Sequence, residues 1–404
     1  MEREKSMRKL GIVLAALTVC LTTPSLAQTP GVTPTEIRLG QSMPYSGNGS
    51  AYASVGKAML AYFEKLNKEQ GGINGRQVKL ISLDDGFSPP KTVEVTRKLV
   101  EQDDVLAIFG TLGTAPNTAI HRYLNTKKVP QLLVTSGATK WADPKNFPYT
   151  MPGMASYQTE GKIYARYLLQ KSPNAKIAVL MQNDDFGRDY LEGFKQALGA
   201  KAATMIVATQ TYELTDPTID SQIAALKASG ADAFYSIALG KFSTQAIRRV
   251  REIDWQVKDF IVPTSTTSIK GILAPAGLQN AAGIVTSSST KSVADPQWNA
   301  DPGMQTYMAF LKQYLPGADP ADSSMVTGYN SAIIMSEILR RCGNNLSREN
   351  VMAQVASIKN MKLDMLLPGI EVSLAPDDFR TYKTLNMMRF DGERWNLFGD
   401  AITE

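Results

Sequence analysis

Short apolar runs of strand length alternate with helical patterns along almost the whole chain. Ile37–Met43 reads as a strand, and the segment after it carries Met59, Leu60, Tyr62, Phe63 and Leu66 at helical spacing. The turn Gly71–Gly72–Ile73–Asn74–Gly75–Arg76 leads to a second strand, Val78–Leu83, and a helix from Pro89 to Glu101 follows. Val105–Phe109 is continuously apolar, as expected of a parallel strand covered on both faces. A helix with Ala119, Ile120 and Tyr123 then precedes the strand Gln131–Val134. Around Phe147–Tyr157 prolines and methionines interrupt the rhythm, which predicts a crossover. A second run resumes with strands Lys176–Met181, Met205–Thr211, Ala233–Leu239 and Phe260–Pro263, and with helices at Phe186, Ile219–Lys227 and Ser243–Ile253. Gly283–Ser289 predicts a strand leading back, and Met304–Tyr314 and Val326–Leu339 predict helices packing on the first run. Asn386–Phe390 and Arg394–Phe398, around Asp391–Gly392, predict a β-hairpin. The class is α/β, with two doubly wound halves.

Two consecutive parallel strands end in loops rich in Gly, Thr and Ser, namely Gly110–Thr114 and Thr135–Thr139. Ligands of open α/β sheets bind at such carboxyl-end loops, where hydroxyls and free helix amides gather. Either loop alone is equally an ordinary strand-to-helix turn. The pair points to a site.

The first 27 residues change the compartment. Arg3, Lys5, Arg8 and Lys9 precede an apolar stretch from Leu10 to Leu21, and Ser25–Leu26–Ala27 is a small-x-small cleavage signal. The stretch is too short for a spanning helix. A cleaved secretory signal is expected over 1–27, with the mature chain beginning near Gln28. Four basic and two acidic residues leave with it, so the formal net charge falls from +5 to +3, too little and too dispersed for a nucleic-acid binder. Of two cysteines only Cys342 remains, which excludes an intrachain disulfide.

Catalytic and metal chemistry find little support. His121 is the only histidine in the sequence, so HExxH and multi-histidine metal sites are excluded. It falls inside a helix and is expected at the surface. No G-x-S-x-G elbow and no P-loop occurs. Asp84–Asp85 and Asp184–Asp185 follow strands, as cation ligands or, more commonly, as caps of the next helix. Tyr45, Tyr52, Trp141, Tyr157 and Phe186 either line a cleft or belong to the cores. No enzymatic activity, metal or cofactor is expected.

Several stretches together resemble the periplasmic substrate-binding proteins of ABC transporters, of the branched-chain amino-acid-binding type. They are IRLGQSMPYSG, GGINGRQVKL, DDGFSPPKTVEVTRKLV, GTLGTAPN, SGATKWADPKNFPYTM, QNDDFGRDYLEGFK and TDPTIDSQIAALKASGADAFY. They follow the family's order over nearly the whole mature chain. The resemblance implies a type I fold of two α/β lobes joined by three crossovers, with lobe I formed by 35–152 and 285–364 and lobe II by 153–284 and 365–404. It implies a ligand held in the cleft by hinge closure, an inner-membrane ABC permease as partner, a monomeric periplasmic protein and no nucleic acid. It also implies ligand-binding roles for Tyr45, Ser46, Tyr52, Leu112, Thr114, Ala138 and Thr139 of the first lobe, and for Tyr157, Phe186, Leu239 and Thr264 of the second. Thr114 and Thr139 would hold a carboxylate through neutral donors. Where amino-acid binders of this type carry an acid after proline, this chain has Val262–Pro263–Thr264, and Met154–Ala155–Ser156 stands where another carboxylate is common. Both departures favour a small organic carboxylate, aromatic or branched, over a branched-chain or neutral amino acid as ligand. A ligand-sensing receptor component is the alternative role for the same fold.

Overall fold

The computed structural model describes residues 29–404, so the expected leader over 1–27 lies outside the described residues. Five parallel strands form the first sheet: β1 (Glu36–Met43), β2 (Gln77–Asp84), β3 (Ala107–Phe109), β4 (Gln131–Val134) and β5 (Thr150–Pro152), in the order β2-β1-β3-β4-β5. The order reverses between β1 and β3, which opens a crevice at their carboxyl ends. Helices α1 (Ser54–Gln70), α2 (Pro89–Glu101) and α3 (Thr114–Thr126) connect these strands. Every residue of β3, β4 and β5 is buried, as expected of parallel strands covered on both faces, including the polar Gln131 and Thr150 that open β4 and β5.

From β5 the chain enters the second unit through α4 (Tyr157–Lys171). Strands β6 (Ile177–Gln182), β7 (Ile206–Tyr212), β8 (Ala233–Ile237), β9 (Asp259–Ile261) and β10 (Val285–Ser288) are parallel, and α5 (Asp185–Leu198) follows β6. The hairpin β11 (Thr384–Phe390) and β12 (Trp395–Thr403) adds antiparallel strands to β10, giving the order β12-β11-β10-β9-β8-β6-β7. Asp391 sets the hairpin turn by accepting the amides of Glu393 and Arg394, both at 2.8 Å.

After Ser288 the chain returns to the first unit, where helices Pro302–Tyr314 and Ser323–Cys342 pack along α1. Gly328 permits the approach: a Cβ there would lie 2.2 Å from the Val55 carbonyl oxygen. The chain crosses once more before β11. It thus passes between the units three times.

One expected boundary moves. Val285–Ser288 pairs with β9 and β11, so it belongs to the second sheet and the crossing comes after it, not at residue 285. An apolar run shows that a strand exists, whereas its sheet is set by partners far away in sequence. Among the described residues, no helix is long and apolar enough to cross a membrane.

A candidate ligand cleft between two lobes

Between the two units lies a cavity of about 170 Å³, walled by the carboxyl-end loops of both sheets and by the segments that cross between them. Gly113, at φ +102°, caps the start of α3, and a Cβ there would lie 2.4 Å from the Phe87 ring. The first residue of that helix, Thr114, is buried. Its hydroxyl lies 2.8 Å from Ser136 Oγ and 3.3 Å from the Tyr157 hydroxyl. The amides of Thr114 and Ala115 head the helix, without a preceding turn to accept them. Tyr157 stacks on Tyr190 at 4.4 Å and meets Phe186 edge-on at 5.2 Å. Burial pushes the Tyr157 phenol up to about 12, so it remains a neutral donor at physiological pH.

Glu160 is the feature that the sequence reading missed. It stands in the first turn of α4, fully buried in the cavity wall. Its Oε2 accepts the hydroxyls of Tyr190 (2.8 Å) and Tyr164 (2.9 Å) and the Thr264 amide (3.2 Å), while Oε1 accepts the Thr264 hydroxyl (3.0 Å). Burial outweighs these donors and raises the carboxyl from 4.5 to about 7. A signal for it exists: Tyr157, Glu160, Tyr164 and Leu168 repeat at helical spacing, which puts an acid inside an apolar stripe. Among the described residues, the other charged side chain in the wall is Lys291, whose ammonium is held by Asp301 at 2.6 Å and by the Asp364 carbonyl at 2.8 Å.

Seven expected residues line this cavity: Tyr52, Leu112, Thr114, Tyr157, Phe186, Leu239 and Thr264. Four do not. Tyr45 is hydrogen-bonded to Ser82 at 2.6 Å, and Ser46 gives its hydroxyl (2.6 Å) and amide (3.1 Å) to Asp84. Ala138 and Thr139 face a separate surface depression with Asp185 and Asp189. Thr139 donates its amide (2.6 Å) and hydroxyl (2.9 Å) to Asp189, a contact from one lobe to the other. The short 3-10 turn Thr139–Ala142 begins at this residue and carries it outside the cleft.

The lobes touch elsewhere too. The Gly240 amide donates to the Tyr52 hydroxyl at 3.0 Å, Asn48 reaches the Leu214 carbonyl at 3.0 Å, and Lys140 pairs with Asp185 at 2.5 Å. These contacts bridge the two lobes beside the cleft.

A family model described as "Periplasmic binding protein" matches residues 36–394. The chain belongs to the periplasmic binding protein family. It is 26% identical over 230 residues to an amino acid binding protein of Pseudomonas aeruginosa, a match covering 54% of this chain and 58% of that one. The chain thus spans little more than half the length of that curated relative. In fold it is similar to a branched-chain amino acid ABC transporter protein of Thermus thermophilus with bound valine, at TM-score 0.81 and 17% identity, covering 92% of this chain and 98% of the other. It is also similar to a solute-binding protein of an ABC transporter from R. palustris in complex with benzoate, at TM-score 0.75 and 20% identity, covering 91% and 98%. The two sheets and their three connections are the type I fold of this family.

Two further expectations resolve against this periplasmic binding protein frame. The aspartate pairs are occupied within the fold: Asp184 accepts the Phe186 and Gly187 amides as the cap of α5, and Asp85 accepts Ser42, Phe87 and Thr92. Among the described residues, no group of three or more His, Cys, Asp or Glu side chains could hold a metal. His121 is buried rather than exposed, stacked on Phe147 at 4.0 Å and edge-on to Trp141 at 4.9 Å. Burial and the nearby Lys140 push its imidazole down to about 4.

Proposed function

We propose that this chain is the solute-binding component of an ABC importer, working in the periplasm after removal of its leader. It captures a small organic carboxylate, aromatic or branched, by closing two lobes over it, and presents it to an inner-membrane permease. It acts as a monomer and by binding alone. Lobe I comprises 35–152 and the helices after Ser288, and lobe II the second sheet with the terminal hairpin.

The state of Glu160 carries this reading. An α-ammonium enclosed in the cleft loses its water and needs a negative partner, and an unpaired buried charge costs several kcal/mol. Glu160 is the carboxylate in the wall, but four protein donors already occupy it and it is about half protonated at neutral pH. A ligand carboxylate meets more suitable chemistry: the Thr114 hydroxyl, the amides heading α3 and the Tyr157 phenol are neutral donors fixed in place. The benzoate complex in this fold is an example of such a ligand in another protein.

The second reading is a branched-chain or other neutral amino acid. Oε1 of Glu160 accepts a single hydrogen bond and so retains room for an ammonium, and the valine complex is its precedent in the fold. Calorimetry of leucine, valine and phenylalanine beside their deaminated analogues and benzoate separates the two. Micromolar or tighter binding of the amino acids, with silence from the acids, refutes the carboxylate.

A further inference from the structure

The cavity does not end at Thr114 and Glu160. Another part of its wall is built by residues 287–293, by Pro320 and Ala321, and by one side of the helix Ser323–Cys342. On that helix Ser323, Thr327 and Asn330 recur at one-turn and two-turn spacing, a polar stripe along the cavity. Asn330 is 1% exposed, and neither its amide nitrogen nor its carbonyl oxygen has a hydrogen-bond partner in the protein. Leaving both atoms of a buried amide unpaired is costly, and an apolar residue of similar volume would avoid that cost. Ser323, by contrast, is engaged by the Thr267 hydroxyl at 2.9 Å.

We infer that Asn330 forms a second polar subsite, which takes an uncharged hydroxyl or carboxamide on the ligand's apolar body, away from its carboxylate. A side-chain amide donates and accepts at once, and those two groups answer it with both roles. A charged group does not fit. Lys291 is the cation of that wall and is already neutralised by Asp301, and no carboxylate lines the wall beside it among the described residues. The body between the two polar ends packs on Leu385, Met388 and Val326, which also line the cavity. The inference rests on the carboxylate reading for the identity of the first group, whereas the second group is read from Asn330 alone.

The test is calorimetry with matched probes on the purified protein and on Asn330→Leu, with Asn330→Ala as a second variant should the first not fold. The acid pairs are benzoate with 4-hydroxybenzoate and 4-carbamoylbenzoate, 3-phenylpropionate with its 4-hydroxy form, and hexanoate with 6-hydroxyhexanoate. Phenylalanine with tyrosine forms the amino-acid pair. In at least one pair the polar member should bind the unaltered protein about 10-fold more tightly or better, the range set by one well-placed neutral hydrogen bond. Asn330→Leu should reduce that ratio to one or below, keep the parent probe within about 3-fold, and melt no lower without ligand, since it removes unpaired polar atoms. Preference surviving in both variants overturns the subsite, as does its absence from every pair in the unaltered protein. Silence from all acids with an Asn330-dependent preference for tyrosine leaves the subsite standing and removes the carboxylate reading. Acids that bind without any such preference do the reverse.

Discussion

Glu160→Gln separates the two ligand classes through pH alone. The substitution suits the site. A glutamine carbonyl oxygen in place of Oε2 keeps the donors Tyr164, Tyr190 and the Thr264 amide, and its NH2 donates to Thr264 Oγ once that hydroxyl rotates. Glutamine thereby copies the protonated acid. With a carboxyl near 7, about 10% of Glu160 is ionised at pH 6 and about 90% at pH 8. If a carboxylate ligand requires the neutral form, its apparent dissociation constant rises about 10-fold over that interval. If an ammonium requires the ionised form, its constant falls by the same factor. Titration of benzoate and valine at pH 6, 7 and 8 should therefore show benzoate weakening with pH in the unaltered protein and a flat profile in Glu160→Gln. Ligand-free stability gives a second reading of the same proton. The folded-state value lies above the unfolded 4.5, so the folded chain keeps a proton that the unfolded chain releases. The stabilisation is complete below pH 4.5 and is lost as pH rises through 7, about 3 kcal/mol in all. Denaturant unfolding should show this slope in the unaltered protein and lack it in Glu160→Gln. His121, held low by burial, contributes a slope of opposite sign that is common to both proteins and cancels in their difference. A valine affinity that strengthens with pH and collapses in Glu160→Gln, with benzoate silent, would refute the reasoning.

Thr139→Val should act on closure rather than on recognition, because its hydroxyl bonds to Asp189 across the lobes. This exposed contact and the retained amide bond limit the loss to about 1 kcal/mol, some 5-fold, the same for every probe; a change in the ratio between probes would put Thr139 back in the ligand site. Gly328→Ala should lower the melting temperature by the equivalent of about 2–3 kcal/mol, since its Cβ would lie 2.2 Å from the Val55 carbonyl and α1 would have to move; an unchanged melting temperature would contradict the packing described.

The fold was legible because the burial that makes parallel strands also marks them. β3 is fully buried and reads as an unbroken apolar run, and β4 is apolar after its buried Gln131. Of the Gly-Thr-Ser loops that follow them, Leu112–Thr114 and Thr135 line the cavity, whereas Ala138 and Thr139 do not. What the pattern could not supply was partnership. Val285–Ser288 is visibly a strand, but its place in the second sheet depends on β11, about a hundred residues further on. The same limit shaped the site. Thr139 sits in a loop of the right composition at the right strand end, yet one short helical turn directs it to Asp189 instead of the cavity. Thr264 lacks a charge, which argued that the ammonium partner had been lost, but a carboxylate from another element stands against it: α4 brings Glu160 within 3.0 Å of the Thr264 hydroxyl. Charge at a site is a property of the enclosed volume rather than of one aligned position. Two tyrosines and a threonine hold an acid here whose protonation lies at the boundary of physiological pH. On the proposed reading, a single proton on Glu160 sets whether the wall favours an anion or a cation, and neither position 264 nor position 155 reveals that acid on its own.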